Sequence, residues 1–298
     1  MNTQHLDDFK KYMEFERQRA SATIHNYLSY ATKLGSFIEK DFVHTSRENI
    51  RDFLADLSRQ GHSKAGISNY IVALRCFFNW LADTTRRQEI IQLSFFLLKI
   101  IKIKREKNIP TVPTPEEIAK LRKTFDNFKK AAKLTPHLAV FNKILREIAA
   151  IELLIGTGVR SNELRNLRFG DVDLENKIIY IKKGKGDKQR VSIFNGTASK
   201  ALKEYFENSR FENADLIFNY KQGNLINYLI KRWTKQAEIN PKLHAHSFRH
   251  YFITQSQRLG VDIEIVAQQV GHSNLNSTRH YTHFSADDLR EKFKDCNI

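Results

Sequence analysis

Six of the eleven histidines fall between His244 and His283, and arginines keep them company. In the string HAHSFRH, His246 and Arg249 stand three residues apart, which on a helix puts an imidazole and a guanidinium on one face. Upstream, Arg160 follows the turn Gly156-Thr157-Gly158, and Lys185 lies in KKGKGDK, where glycines let the backbone pass close to a ligand. His272 follows Gly271 at the end of a helical pattern, and Tyr281 comes nine residues later. Two arginines, one lysine, two histidines and a tyrosine, with no carboxylate pair, suit a phosphodiester anion. Arginine forks onto non-bridging oxygens, lysine or histidine protonates a leaving oxygen, and tyrosine serves as nucleophile. A metal reading starts from His246 and His250, one helical turn apart. No carboxylate or cysteine lies near them in sequence, and Arg249 between them repels a cation, so neither metal nor other cofactor is expected.

These side chains need a scaffold, and the pattern around them is mostly helical. Apolar residues at Ile24, Tyr27, Leu28, Ala31, Leu34 and Ile38 mark one buried stripe, and those from Ile67 to Leu81 mark another. Thr45 and Glu48 have capping-box spacing ahead of Ile50, Phe53, Leu54 and Leu57, and Leu6, Phe9 and Met13 suggest a helix at the start. The segment KREKNIPTVPTP, residues 104–115, holds three of the five prolines and reads as an extended basic linker. Thr114-Pro115-Glu116-Glu117 then supplies an N-cap, a proline at the first helical position and a glutamate at the third. Beyond it, Ile144 to Ile155 is helical, and β-branched runs at Ile178–Ile181 and Val191–Phe194 flank the glycine-rich turn as a hairpin. A short strand at Leu216–Phe218 and a helix from Asn224 to Glu238 follow. The expected fold is mainly α: a helical domain over 1–103, the linker, and an α-rich domain with a small antiparallel sheet over 116–298.

The chain has 298 residues, 41% of them hydrophobic and 28% charged, which suits a globular chain of two domains. Its net charge is +16. Eighteen basic residues face 12 acidic ones before residue 109, and 31 face 21 after it, so the excess is not a basic tail. A polyanion is the natural partner, nucleic acid first among them. Cys76 and Cys296 stand too far apart in number and sequence for a disulfide framework or a cysteine-based zinc site. The polar start carries no apolar signal region. The most apolar stretch, Ile90–Ile103, is broken by Gln92, Ser94, Lys99 and Lys102, short of the roughly 20 residues of a membrane span. A soluble, cytoplasmic protein is expected.

Arg160, Lys185, His246-x-x-Arg249, His272 and Tyr281 together resemble the active-site set of the tyrosine recombinases, the phage integrase family. The strings GTGVRSNELRNL, KGKGDKQR, HSFRH and GHSNLNSTRHYTH carry the resemblance over residues 150–285, with Phe248 where many members have leucine. The N-terminal helices and basic linker are similar to the family's core-binding (SAM-like) domain and connector, and the two-domain layout looks most like the Xer type. The resemblance implies a site-specific DNA recombinase in which Tyr281 forms a 3′-phosphotyrosyl link, Arg160 and Arg249 neutralise the transition state, and Lys185 is the general acid. It also implies that His246 and His272 contact the phosphate and that strands exchange through a Holliday junction without ATP or metal. Its implied partners are double-stranded DNA with paired inverted-repeat sites and three further copies of the chain in a homotetrameric synapse, with a monomer in solution and no membrane. Glu163 matches an acidic position one turn after the first arginine and is expected to orient it; the alternative is an ordinary solvent-facing residue. Two other readings stay open: a type IB topoisomerase-like strand transferase, and a DNA-binding regulator without chemistry.

Further basic residues are candidate DNA contacts, against the plainer alternative of a solvated surface. Lys33, Lys64 and Arg75 lie on the outer faces of the two long N-terminal helices. Lys183, Lys188 and Arg190 flank the hairpin turn. Lys231 and Lys235 share a face with Asn224 and Asn227, opposite Leu225, Tyr228, Leu229 and Trp233, as a recognition helix would arrange them. The amphipathic stretch Ala286–Ile298 either packs on its own domain or docks on a neighbouring protomer.

Overall fold

The computed structural model describes residues 2–100, 111–134, 137–182, 189–220 and 224–271. The chain divides into two compact units, Met1–Asn108 and Ile109–Ile298, each with its own core. The first is helical: α1 (Asn2–Lys11), running on as a π-helical turn, then α2 (Ser21–Ile38), α3 (Arg47–Arg59), α4 (Lys64–Thr85) and α5 (Gln88–Ile100). The predicted stripes are the buried faces of α2 and α4, and Phe9 and Met13 are fully buried as the spacing requires. Aromatic rings fill the centre edge to face: Phe9 on Phe77 at 5.1 Å and Phe42 on Phe77 at 4.7 Å between centroids. The expected cap of α3 is displaced by one residue. Ser46, not Thr45, accepts from the amide of Asn49, and the Asn49 side chain returns a bond to the Ser46 amide.

The second unit opens as the sequence anticipates. Thr114 caps α6 (Pro115–Lys133), accepting from the Glu117 amide at 3.2 Å while Glu117 accepts from the Thr114 amide at 2.9 Å. Next comes α7 (Leu138–Thr157), its C-terminal half wholly enclosed. Two carboxylates on α7 sit in that interior with cationic partners: Glu152 takes a forked bond from Arg122 at 2.9 and 3.0 Å, and Glu147 takes bonds from Arg232 and from the Trp233 indole. After α8 (Ser161–Arg165), a sheet forms in the order β1 (Val172–Asp173), β2 (Ile178–Ile181), β3 (Arg190–Ile193), antiparallel throughout. The hairpin was legible in the sequence; β1, two residues long, was not. The strand expected at 216–218 reduces to a single bridge, Arg168 opposite Leu216.

Helices complete the unit: α9 (Gly196–Glu207), α10 (Leu225–Gln236), α11 (Ala245–Arg258) and α12 (Ile263–Val270). On α10 the expected faces are rotated. Ile226, Leu229, Ile230 and Trp233 are buried, whereas Leu225 and Tyr228 are exposed, Tyr228 at 68%. The isoleucines make the inward stripe, so Tyr228 joins Lys231 and Lys235 on the outer surface. No helix among the described residues is long and apolar enough to cross a membrane.

Candidate active site

The site begins where α7 ends. Gly158 closes that helix in the left-handed conformation, φ +65°, and its amide bonds back to Leu154. A side chain there would be strained and would press on Phe252 and Val270, since a Cβ would lie 2.9 Å and 3.0 Å from them. α11 and α12 therefore pack flush against the turn. The turn's carbonyl faces Arg249 of α11, whose Nη1 donates to Gly158 O at 2.6 Å. Arg249 is 2% exposed, and among the described residues its Nη2 has no hydrogen-bond partner.

Immediately after the turn stands Arg160, at the start of α8. Glu163, one turn on, accepts from the Arg160 amide at 2.8 Å and from Arg160 Nη1 at 2.9 Å. The same carboxylate takes a second fork from Arg190, Nη1 to Oε1 at 2.7 Å and Nη2 to Oε2 at 2.8 Å. Arg160 Nη2 also donates to the carbonyl of Gly271, the left-handed residue that closes α12. Two guanidiniums thus grip one carboxylate, with a third, Arg249, close enough for its charge to be felt. Burial pushes the Glu163 carboxyl up, but the bonds and charge of Arg190 and then Arg160 outweigh it and hold Glu163 below the ordinary carboxylate range. Arg249 feels the opposite pressure: burial first, then the Arg160 charge, lower it to about 9. A pocket so short of negative charge is built to receive an anion.

His246 is itself exposed on the first turn of α11, its ring edge-on to His250 at 5.2 Å. Burial, then the neighbouring His250, Arg249, His244 and Arg160, lowers its pKa and so favours the neutral ring. The helix start is capped by His244, whose Nδ1 accepts from the Ser247 amide at 3.1 Å. Among the described residues no cluster of three histidines, cysteines or carboxylates is arranged to hold a metal.

Of the residues singled out in the sequence, the structure brings Arg160, Glu163, His246 and Arg249 together. Glu163 is 4% exposed, which removes the solvent-facing alternative. Lys185, His272, Tyr281, Lys183 and Lys188 lie outside the described residues, as does the stretch 286–298. Lys33, Lys64, Lys231 and Lys235 are exposed on their helices, Lys33 over the Tyr70 ring, and Arg75 is half-buried. Arg190 departs from the expected phosphate contact: its guanidinium faces inward, side chain 11% exposed, engaged with Glu163. Gln269 was missed altogether. It is fully buried on α12 and bonds both the amide and the carbonyl of Ile193 and the Ser192 hydroxyl, tying α12 to β3. Nothing in the apolar run around it marks that role beyond a polar residue where a core residue belongs.

Comparison with known proteins places the chain in a family. Residues 114–287 match the Phage integrase family, and residues 6–88 match the Phage integrase N-terminal SAM-like domain. The chain belongs to the phage integrase family of tyrosine recombinases. This recombinase is 31% identical to the tyrosine recombinase XerC of Bacillus subtilis (strain 168), over 96% of its own length and 93% of the relative's. It is 28% identical to XerA of Pyrococcus horikoshii, over 100% and 95%. Among solved structures it is similar to the XerH site-specific recombinase bound to palindromic difH substrate in a post-cleavage complex, with TM-score 0.65, 26% identity, and 98% and 83% of the two chains covered. A lambda integrase (75-356) dimer bound to a COC' core site shares the fold at TM-score 0.64 and 13% identity, covering 95% and 99%. The chain is therefore a tyrosine recombinase, an enzyme of site-specific recombination.

Proposed function

We propose that this recombinase cuts and rejoins double-stranded DNA at paired inverted-repeat sites through a 3′-phosphotyrosyl link and a Holliday junction. The observation that carries the reading is the Arg249 guanidinium, buried with one nitrogen unpartnered among the described residues and pressed by two further arginines. A buried charge left uncompensated costs several kcal/mol, and a non-bridging phosphate oxygen is the partner whose shape and charge complete it. Its similarity to recombinases solved on their DNA substrates supports the same conclusion.

In this reading Tyr281 Oη attacks the scissile phosphorus and the bond to O5′ breaks. The phenolic proton passes to the neutral imidazole of His246, and Lys185 returns a proton to O5′. Arg160, Arg249 and His272 hold the non-bridging oxygens as charge builds on them; oriented donors of this kind are worth about 3 kcal/mol each. The tyrosyl ester conserves the energy of the broken P–O5′ bond, so a 5′-hydroxyl from the partner strand reverses the step, releasing the tyrosine, with neither ATP nor metal. The assembly is a homotetramer formed on DNA from monomers in the cytoplasm, with residues 286–298 docking on a neighbour. Lys33, Lys64, Arg75, Lys183, Lys188, Lys231 and Lys235 serve as DNA contacts.

The test is a nicked half-site substrate, which traps the covalent adduct by losing its 5′ fragment. The wild type should form an adduct that maps to Tyr281, and Tyr281→Phe should abolish it. An adduct persisting in Tyr281→Phe would overturn the assignment. Relaxation of supercoiled plasmid that lacks paired sites would favour the topoisomerase-like reading, and DNA binding without any adduct would favour the regulator.

A further inference from the structure

We propose that Arg190 is a positioning residue for strand cleavage, one that grips Glu163 and the C-terminal end of α12 together and so fixes the guanidinium of Arg160. This rests on reading the pocket as the cleavage site. Arg190 opens β3, directly after a lysine-rich turn, where a surface contact with DNA is the natural expectation. Its contacts run the other way. Nη1 and Nη2 meet the two oxygens of Glu163, and Nε donates to the Gln269 carbonyl at 3.2 Å. All three nitrogens are engaged inside the protein.

Its guanidinium also forms a floor. A Cβ at Gly271 would lie 2.8 Å from Arg190 Cζ, so the backbone of Gly271 rests on the arginine with no room for a side chain. That same backbone presents the carbonyl that receives Arg160. The contacts close into a ring: Arg190 holds Glu163, Glu163 holds Arg160, Arg160 holds Gly271, and Gly271 sits on Arg190. Three elements far apart in sequence (α8, β3 and α12) meet in it. In sequence, Lys185 lies five residues before Arg190 and His272 one residue after Gly271, so one grip stands at the root of both segments.

Arginine is required for this role. Its planar fork spans both carboxylate oxygens while the third nitrogen reaches the carbonyl; a lysine ammonium offers a point charge to one of them. The fold does not depend on the grip alone, because the Gln269 side chain pins α12 to β3 independently. Loss of Arg190 should therefore misplace Arg160 without detaching the helix.

The experiment uses the full chain and the nicked half-site, with Arg190→Ala, Arg190→Lys, Glu163→Gln and the Arg190→Ala, Glu163→Gln pair. At saturating DNA, Arg190→Ala should form adduct about 10- to 100-fold more slowly, as loss of a supporting contact behind a catalytic group does. Arg190→Lys should fall between it and wild type, and should carry the test if the alanine variant does not fold. The DNA dissociation constant should stay within about 3-fold and its salt dependence should be unchanged. The double variant should be no slower than the slower single within about 3-fold, because both act through Arg160. One further readout separates positioning from mere support of the fold. Without Arg190, buried Glu163 loses the larger of its two bonded cations and keeps Arg160, with the Arg249 charge nearby. Its proton is then held more firmly, so the adduct rate of Arg190→Ala should fall more steeply with falling pH than wild type, and Glu163→Gln should erase that steepening.

Wild-type adduct rates in Arg190→Ala, an effect confined to affinity and salt slope, or multiplicative single effects would each overturn the proposal. Absence of adduct in the wild type is a distinct result: it defeats the cleavage reading itself, and the proposal falls with it.

Discussion

Arg249 gives one nitrogen to the Gly158 carbonyl and leaves another in the interior without a partner among the described residues, an arrangement that costs stability until an anion arrives. Its lowered pKa, about 9, expresses that cost: burial and the Arg160 charge disfavour the cation that the site must present. Arg249→Met should therefore keep the wild-type melting temperature within a few degrees or exceed it. The lost bond to Gly158 O is worth only about 1 kcal/mol, while the adduct rate should fall by more than about 100-fold. Thermal melts beside half-site cleavage check this, and a collapse of folding would instead make the arginine a structural strut. At this scale the placing of His246 and Arg249 on one helix was legible, since it follows from helical spacing alone. Arg190 was not legible. Its partners Glu163 and Gln269 lie 27 and 79 residues away in sequence, and only the packing of α12 on β3 turns a hairpin-flanking arginine inward.

Helix ends were read with unequal success, and the reasons are local. Thr114 with Glu117 satisfies both halves of a capping box at the position the sequence marks. At α3 the competing pairs Thr45/Glu48 and Ser46/Asn49 have the same spacing, and tertiary packing buries Thr45 so that Ser46 takes the cap. The Thr45 hydroxyl is left buried with no partner among the described residues. Ser46→Ala should cost about 1 kcal/mol in urea unfolding, whereas Thr45→Val should be neutral or stabilising because it removes an unmet polar group. The reverse order would restore Thr45 as the cap. The α10 faces were misassigned for a related reason: Tyr228 and Leu225 count as apolar in a periodicity, yet Ile226 and Ile230 compete for the same interior and win. β1 is too short to leave a periodicity at all, and it exists because β2 offers it an edge.

Across the whole molecule a charge of +16 is distributed over both units, which makes association with DNA strongly electrostatic. Each lysine that neutralises a phosphate releases condensed counterions, so the logarithm of the binding constant should fall with the logarithm of salt concentration at about 0.9 per phosphate met. The rotated face of α10 lets individual lysines be sorted. Lys231 and Lys235 share the exposed surface with Tyr228, where a groove-reading helix would carry its contacts. A lysine that meets a phosphate, when changed to alanine, should lower the salt slope by about one and weaken all sequences alike. A lysine that meets a base edge should leave the slope nearly intact and relax preference at one position of the site, at about 1–3 kcal/mol. Lys64→Ala, on the N-terminal unit, is expected to follow the first pattern and Lys231→Ala the second, measured by binding titrations at several salt concentrations against a base-substituted panel of the target. If Lys231→Ala changes neither slope nor preference, α10 is a solvated face, and the reading of sequence must come from another element of the chain.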